Sequence, residues 1–285
     1  MKPETVATSA FAIKLLAFTV LITSLLSCTE EKTMDPLSAS RQRLQTIPEE
    51  RWEALARKKI YFGHQSVGQN VLDGLLAVLV SSPGIQLDIR ETSNPGDFDG
   101  PVFAHSRIGQ NGDPKGKIDH FRSILEGGIG QKADVALFKF CYVDIAPTSD
   151  PEGLLDHYDR TLADLSAKFP DLTILAVTVP LTNAPPGLKS RIKALLGRGP
   201  ALNEENGKRN VVNDHIRKKY GAAVWDLAAV EAMTAGGGRT FVRDGRKTID
   251  LLNPAWTSDG GHLNEVGSQI AAMDLLIRLA SLEER

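Results

Sequence analysis

The chain has 285 residues, 42% of them hydrophobic, with 33 basic and 35 acidic side chains and a formal net charge of −2 at pH 7. That balance excludes the basic footprint of a nucleic-acid-binding protein, and the length allows one sizeable core. Two cysteines, Cys28 and Cys141, and six scattered histidines lacking His-x-Glu or His-x-x-x-His pairs form no zinc pattern, so neither a metal nor an organic cofactor is implied.

Residues 1–27 place Lys2 and Lys14 around an apolar stretch, Leu15 to Leu26, that is too short to span a bilayer and fits an export signal. Leu25-Leu26-Ser27-Cys28 then resembles a bacterial lipobox, in which Cys28 is lipidated and becomes the first mature residue. An ordinary secretory signal with an incidental cysteine, or a short uncleaved anchor, is the alternative. Residues 28–47 are expected to form a polar tether, and 48–285 the folded domain. The expected address is the bacterial cell envelope, lipid-anchored through Cys28 and facing the periplasm or exterior. Thr29 is not the Asp that holds many lipoproteins at the inner membrane, so an outer membrane is favoured where there are two. Removal of 1–27 leaves 258 residues, 31 basic and 34 acidic. With Cys28 acylated, Cys141 stands alone and no intramolecular disulfide can form.

Along the domain, Lys58–Phe62 reads as a short strand meeting Gly63. Val67–Val80 has the length and apolar spacing of a helix, stopped by Ser81-Ser82-Pro83-Gly84. Ile85–Arg90 alternates as a strand, and Glu91–Gly116 reads as a long Gly/Pro/Asp-rich loop. Asp134–Phe140 has the content of a buried strand. Gly153–Phe169 is an amphipathic helix ended by Pro170, and Leu172–Val179 is the clearest strand. The 183–210 segment, with Pro185-Pro186, Lys189, Arg191, Lys193 and Arg198, is either a basic lid or a solvated insertion. Asn206–Tyr220 reads as a helix, Ala222–Trp225 as a strand and Asn264–Leu282 as a closing helix. Strands alternating with helices predict an α/β protein whose parallel sheet is covered on both faces. The ligand crevice of such a sheet lies beyond the carboxyl ends of its strands, where Ser66, Tyr142, Pro180 and Asp226 fall.

Two blocks carry chemistry. Gly63-His64-Gln65-Ser66-Val67-Gly68 ends a strand and opens a helix, so Ser66 can present a hydroxyl, and its own N–H, to the crevice; alternatively it only caps the helix. Thr257-Ser258-Asp259-Gly260-Gly261-His262-Leu263-Asn264 puts an Asp and a His three residues apart before a helix, so Asp259 can orient His262 as a general base. The order Ser, Asp, His with the last two nearly adjacent differs from the trypsin, subtilisin and α/β-hydrolase arrangements. Cys141 reads as a small buried hydrophobe before a nucleophile. Asp97-Phe98-Asp99 reads as a solvated turn rather than a calcium loop. Trp225, Trp256 and Tyr61 are core residues or the lining of a sugar pocket. His64 is a substrate contact or a core residue bonded to backbone.

This order and spacing resemble the SGNH/GDSL hydrolases, over roughly residues 58–282. The resemblance implies a three-layer α/β/α sandwich with a central, mostly parallel sheet, of the flavodoxin-like kind, and esterase or lipase activity on acyl esters, often acetyl groups of carbohydrates. It implies Ser66 as nucleophile, His262 as base and Asp259 as its orienting partner. The terminal block matches over many positions, through Gly267 and the following helix. The family's Gly-Asp-Ser is replaced by Gly63-His64-Gln65-Ser66, and where Gly-x-Asn-Asp is expected the chain has Cys141-Tyr142-Val143-Asp144, which keeps the Asp and lacks the Asn. Gly109, or else Gly112, is the expected glycine oxyanion donor. Tyr142, Gln65, Asn111 and Lys139 are the candidates for replacing the missing Asn. The expected partners are a small-molecule or polysaccharide ester and the membrane, with no nucleic acid. The other reading is a non-catalytic lipoprotein that keeps the fold as a carbohydrate-binding or assembly module.

Overall fold

The computed structural model describes residues 35–184 and 202–282. Their six-stranded sheet comprises β1 (Lys59–His64), β2 (Ile89–Glu91), β3 (Val102–Arg107), β4 (Val135–Phe138), β5 (Thr173–Val177) and β6 (Val224–Trp225). The order is β2-β3-β1-β4-β5-β6 and every pairing is parallel. Parallel neighbours need long crossovers, and the helices in those crossovers cover both faces. Helices α1 (Pro36–Gln45), α2 (Glu49–Ala56) and α3 (Ser66–Ser81) lie on one face, and α4 (Pro114–Ile124), α5 (Pro151–Lys168) and α6 (Leu202–Tyr220) on the other. Helices α7 (Leu227–Ala232) and α8 (Glu265–Ala280) return to the first face. The two-residue period of a strand divides the core between them. Ile60 and Phe62 of β1 join the first cluster while Tyr61 joins the second; Val135 and Leu137 of β4 oppose Ala136 and Phe138.

From β1 the chain crosses to the edge strand β2 and returns through β3, then passes β1 to reach β4. The direction of the connections reverses there, and in such sheets that switch point is where a ligand crevice forms, beyond the carboxyl ends of the strands. Ser66 follows β1, and Cys141 and Tyr142 follow β4, at those ends.

The expected α/β/α architecture is present, with four local departures. The stretch read as a long loop holds strand β3 and the first residues of α4. β3 (Val-Phe-Ala-His-Ser-Arg) ends in polar residues, and its place comes from pairing with β1 and β2 rather than from its own pattern. The strand expected at Ile85–Arg90 is confined to Ile89–Glu91. The tether expected over 28–47 gives way to helix α1. Asp35 caps it, Leu44 is buried, and Arg43 pairs with Asp274 of α8 at 3.2 Å, so residues 36–45 pack on the domain. A two-stranded antiparallel hairpin, β7 (Phe241–Asp244) and β8 (Lys247–Asp250), turns at Gly245 and was not expected. Cys28, the export signal and most of the 183–210 insertion lie outside the described residues, although the end of that insertion forms the start of α6.

Helix α3 lies directly against α8. A Cβ on Gly74 would come within 2.2 Å of the Ser268 carbonyl oxygen, so only glycine allows this approach. Because the obstacle is backbone, Gly74→Ala is expected to destabilise the domain by about 1–3 kcal/mol in urea unfolding, with an unchanged m-value.

Candidate active site

Ser66 is the first residue of α3. Gln65 occupies the N-cap position and makes no side-chain cap. The reading of Ser66 as a mere capping residue therefore has no geometric support. Its hydroxyl is half-buried and carries no hydrogen bond among the described residues. The open N–H groups of the first helical turn lie beside it.

Asp259 and His262 meet in the loop before α8. His262 Nδ1 lies 2.6 Å from Asp259 Oδ2, while Asp259 Oδ1 accepts the backbone N–H groups of Gly261 at 2.9 Å and His262 at 2.8 Å. Partial burial alone would raise this carboxyl. The His262 ring and the two backbone donors outweigh that and hold it at about 2. A carboxylate can only accept, so Nδ1 carries the proton and Nε2 is left bare, the tautomer a general base needs. Tyr142 stands edge-on to this ring, with centroids 5.7 Å apart, and its ring covers Gly261, where a Cβ would approach within 2.7 Å of Tyr142.

Long-range bonds pin the loop. Leu263 N–H reaches Asn70 Oδ1 at 3.3 Å, and Asn70 lies one turn beyond Ser66 on α3. Asn183 N–H donates to the Gly260 carbonyl at 2.8 Å. The helix bearing Ser66 and the loop bearing His262 are thus tied together, although Ser66 and His262 share no hydrogen bond here. Hydrogen bonds between such groups are often long in an unliganded site.

The expected oxyanion residues divide sharply. Gly109 has φ +53° but its N–H is spent on His120 Nδ1 at 2.9 Å, and the Gly112 N–H is spent on Asp144 Oδ1 at 2.8 Å. Neither glycine offers a free donor, which corrects the expectation for both. Gln65 Nε2 donates to the carbonyls of Ile108 and Gly109, both at 2.9 Å, so it ties a loop instead. Lys139 is fully buried, its ammonium form disfavoured by that burial, and its Nζ faces the Phe140 carbonyl at 2.9 Å. Asn111 accepts from Lys117 through Oδ1. Tyr142 keeps a hydroxyl with no hydrogen bond among the described residues, and burial followed by the nearby Asp259 charge raises its pKa, so it stays a donor.

Asp144 is the hub beneath these groups. Its carboxylate accepts from Lys117 Nζ at 2.6 Å, the Cys141 N–H at 2.6 Å and the Gly112 N–H at 2.8 Å, all without solvent exposure of the ion pair. Arg209 of α6, also buried, donates to the Tyr142 carbonyl at 2.9 Å and to Thr182 Oγ1 at 2.7 Å, fixing the loops after β4 and β5. Cys141, Trp225, Trp256 and Tyr61 are buried core residues. Asp97 and Asp99 are held by Thr92 and Lys132. Asn70, Asn183, Lys117 and Arg209 escaped sequence reasoning. Asn70 alone had a readable signal, its one-turn spacing from Ser66.

No family model matches this chain, and no curated protein matches it. Solved structures similar to it include a candidate platelet activating factor from Streptococcus pneumonia, at 15% identity and TM-score 0.45, covering 94% of this chain and 98% of that one. A candidate lipolytic protein of the G-D-S-L family from Desulfitobacterium hafniense is similar at 9% identity and TM-score 0.42, covering 77% and 98%. A candidate GDSL-like lipase from Parabacteroides merdae is similar at 12% identity and TM-score 0.43, covering 78% and 94%. The structural neighbours include GDSL-like lipases and acyltransferases. With TM-scores below 0.5, the chemistry rests on this chain's own residues.

His64 gives a stability prediction. Burial pushes its imidazole from 6.5 down to about 4, against the Gln65 carbonyl, which favours the charged ring, and with help from the charges of His105, Lys139 and Arg107. The unfolded chain therefore binds a proton more readily between these values. The stabilising contribution is complete above pH 6.5 and is lost as pH falls toward 4, on the order of 3 kcal/mol for this group. Urea midpoints should fall through that window, and His64→Asn should flatten the slope.

Proposed function

We propose that this protein is a serine esterase of the cell envelope acting on acyl esters, with Ser66 as nucleophile, His262 as general base and Asp259 as its orienting partner. The observation that carries this reading is the 2.6 Å Asp259–His262 contact, which leaves Nε2 bare on a loop pinned to the Ser66 helix. Ser66 Oγ attacks the ester carbonyl carbon as His262 Nε2 takes its proton. The carbonyl oxygen, now negative, accepts from the Ser66 N–H and the Tyr142 hydroxyl. The C–O bond to the alcohol then breaks and His262 returns the proton to that leaving oxygen. Water, activated by the same imidazole, releases the acid and restores Ser66; an alcohol in its place makes the reaction acyl transfer.

Tyr142 replaces the absent asparagine in this scheme, because its hydroxyl is the free donor beside His262. An envelope address through acylated Cys28 points to carbohydrate or other envelope esters as substrate. The engaged N–H groups of Gly109 and Gly112 favour the second reading, a carbohydrate-binding or assembly module without turnover.

Labelling with a fluorophosphonate probe, followed by peptide mapping, separates the two readings. The esterase reading expects an adduct on Ser66 that disappears in His262→Ala. It also expects Tyr142→Phe to lower kcat about tenfold to a hundredfold on a short-chain ester with little change in KM. A folded protein with no adduct would favour the binding module, and an adduct on Cys141 would displace Ser66.

A further inference from the structure

The His64 ring lies deep under the nucleophile block, 1% exposed, and the scheme above gives it no role. Its Nδ1 is 3.0 Å from the carbonyl oxygen of Gln65, and its Nε2 is 3.1 Å from Nδ1 of His105 on β3. A carbonyl can only accept, so His64 Nδ1 carries the proton. In the neutral ring Nε2 is then bare and accepts from His105 Nδ1–H, so the network assigns both tautomers. The ring has little freedom to turn. It stacks on Phe62 with centroids 5.2 Å apart, and a Cβ on Gly68 would meet the His64 Cβ at 2.3 Å. Glycine at position 68 is what lets the helix close over the imidazole.

The Gln65 carbonyl also accepts the first helical bond, from the Gln69 N–H at 3.1 Å. It therefore has two donors on one side. This carbonyl belongs to the same planar, trans peptide unit as the N–H of Ser66. Fixing the direction of the oxygen fixes the N–H in the opposite direction, and a hydrogen bond to the oxygen polarises the amide into a better donor. The Gln65 side chain is held as well, by the carbonyls of Ile108 and Gly109.

We propose that His64 is a positioning residue whose Nδ1–H clamps the Gln65–Ser66 peptide and thereby aims the Ser66 N–H at the developing oxyanion, with His105 holding the required tautomer. The inference rests on the assignment of Ser66 above. It also accounts for the histidine found where the family resemblance expects a different residue.

The test compares His64→Asn with His64→Leu. Asparagine can offer its amide nitrogen close to the position of Nδ1, whereas leucine has the same branching and no donor. With a short-chain ester, His64→Asn is expected to keep kcat within about fivefold of wild type. His64→Leu is expected to lose about tenfold to a hundredfold in kcat with KM unchanged, because the donor acts on the transition state. Equal kcat in the two variants, or a change confined to KM, would overturn the proposal. If either variant fails to fold, ring-nitrogen NMR of the wild-type protein decides: an Nδ1–H tautomer at His64 supports the clamp and an Nε2–H tautomer overturns it. Fluorophosphonate labelling of wild-type Ser66 is run alongside. Its absence defeats the nucleophile assignment, whereas labelled wild type with indistinguishable variants defeats the clamp alone.

Discussion

The close packing of α3 on α8 is the constraint on which the site depends. Ser66 opens one of these helices and His262 stands just before the other, at opposite ends of the folded chain. Gly74 lets the α3 backbone approach the Ser268 carbonyl, and a buried apolar seam with Val67, Val71, Leu75, Ile270 and Leu275 holds the pair against the sheet. Asn70 adds a polar lock at the end nearest the crevice, accepting from the Leu263 backbone. A parallel sheet buried on both faces leaves its strand ends as the place where polar groups converge, and Ser66 stands just beyond the end of β1.

Electrostatic organisation around that crevice is mostly backbone-directed. Asp259 spends one oxygen on two N–H groups of its own loop and the other on His262, so the imidazole is held in a defined tautomer. Asp144, after β4, forms a buried pair with Lys117 of α4 and also accepts from the Gly112 N–H in the loop after β3, joining these segments. Loss of one partner would strand a charge without water, which is why such pairs specify loop geometry more than they add stability. Arg209 does similar work on the other side, under Tyr142.

Much of this was legible in the sequence wherever the physics is local. The apolar run of β5, the period of α5 and the Asp259–His262 spacing all act within a few residues, and they appear where the pattern put them. β3 was not legible, because Val102–Arg107 is polar at its end and owes its strand state to neighbours on both sides. Helix α1 is polar along its length: Asp35-Pro36 is a local start signal, but without an apolar period to follow it the helix depends on docking against α8, which is not visible locally. The β7–β8 hairpin did carry an Asp244-Gly245 turn signal, but its mostly polar strands lack the apolar alternation that would have framed it. The glycine donors failed for a similar reason. Gly109 and Gly112 sit in the expected loop, yet their N–H groups are claimed by His120 and Asp144, partners that spacing alone does not reveal.

In the proposed reaction a carbonyl oxygen is held between the Ser66 N–H and the Tyr142 hydroxyl while His262 Nε2 faces Ser66 Oγ. The most direct measurement is a crystal structure of the protein after reaction with a short-chain phosphonate. The account predicts phosphorus bonded to Ser66 Oγ, a phosphonyl oxygen within about 3 Å of both donors, and His262 Nε2 turned toward the serine or leaving-group oxygen. A phosphonyl oxygen pointing to solvent, or held by Gly109 or Asn111 instead, would contradict it.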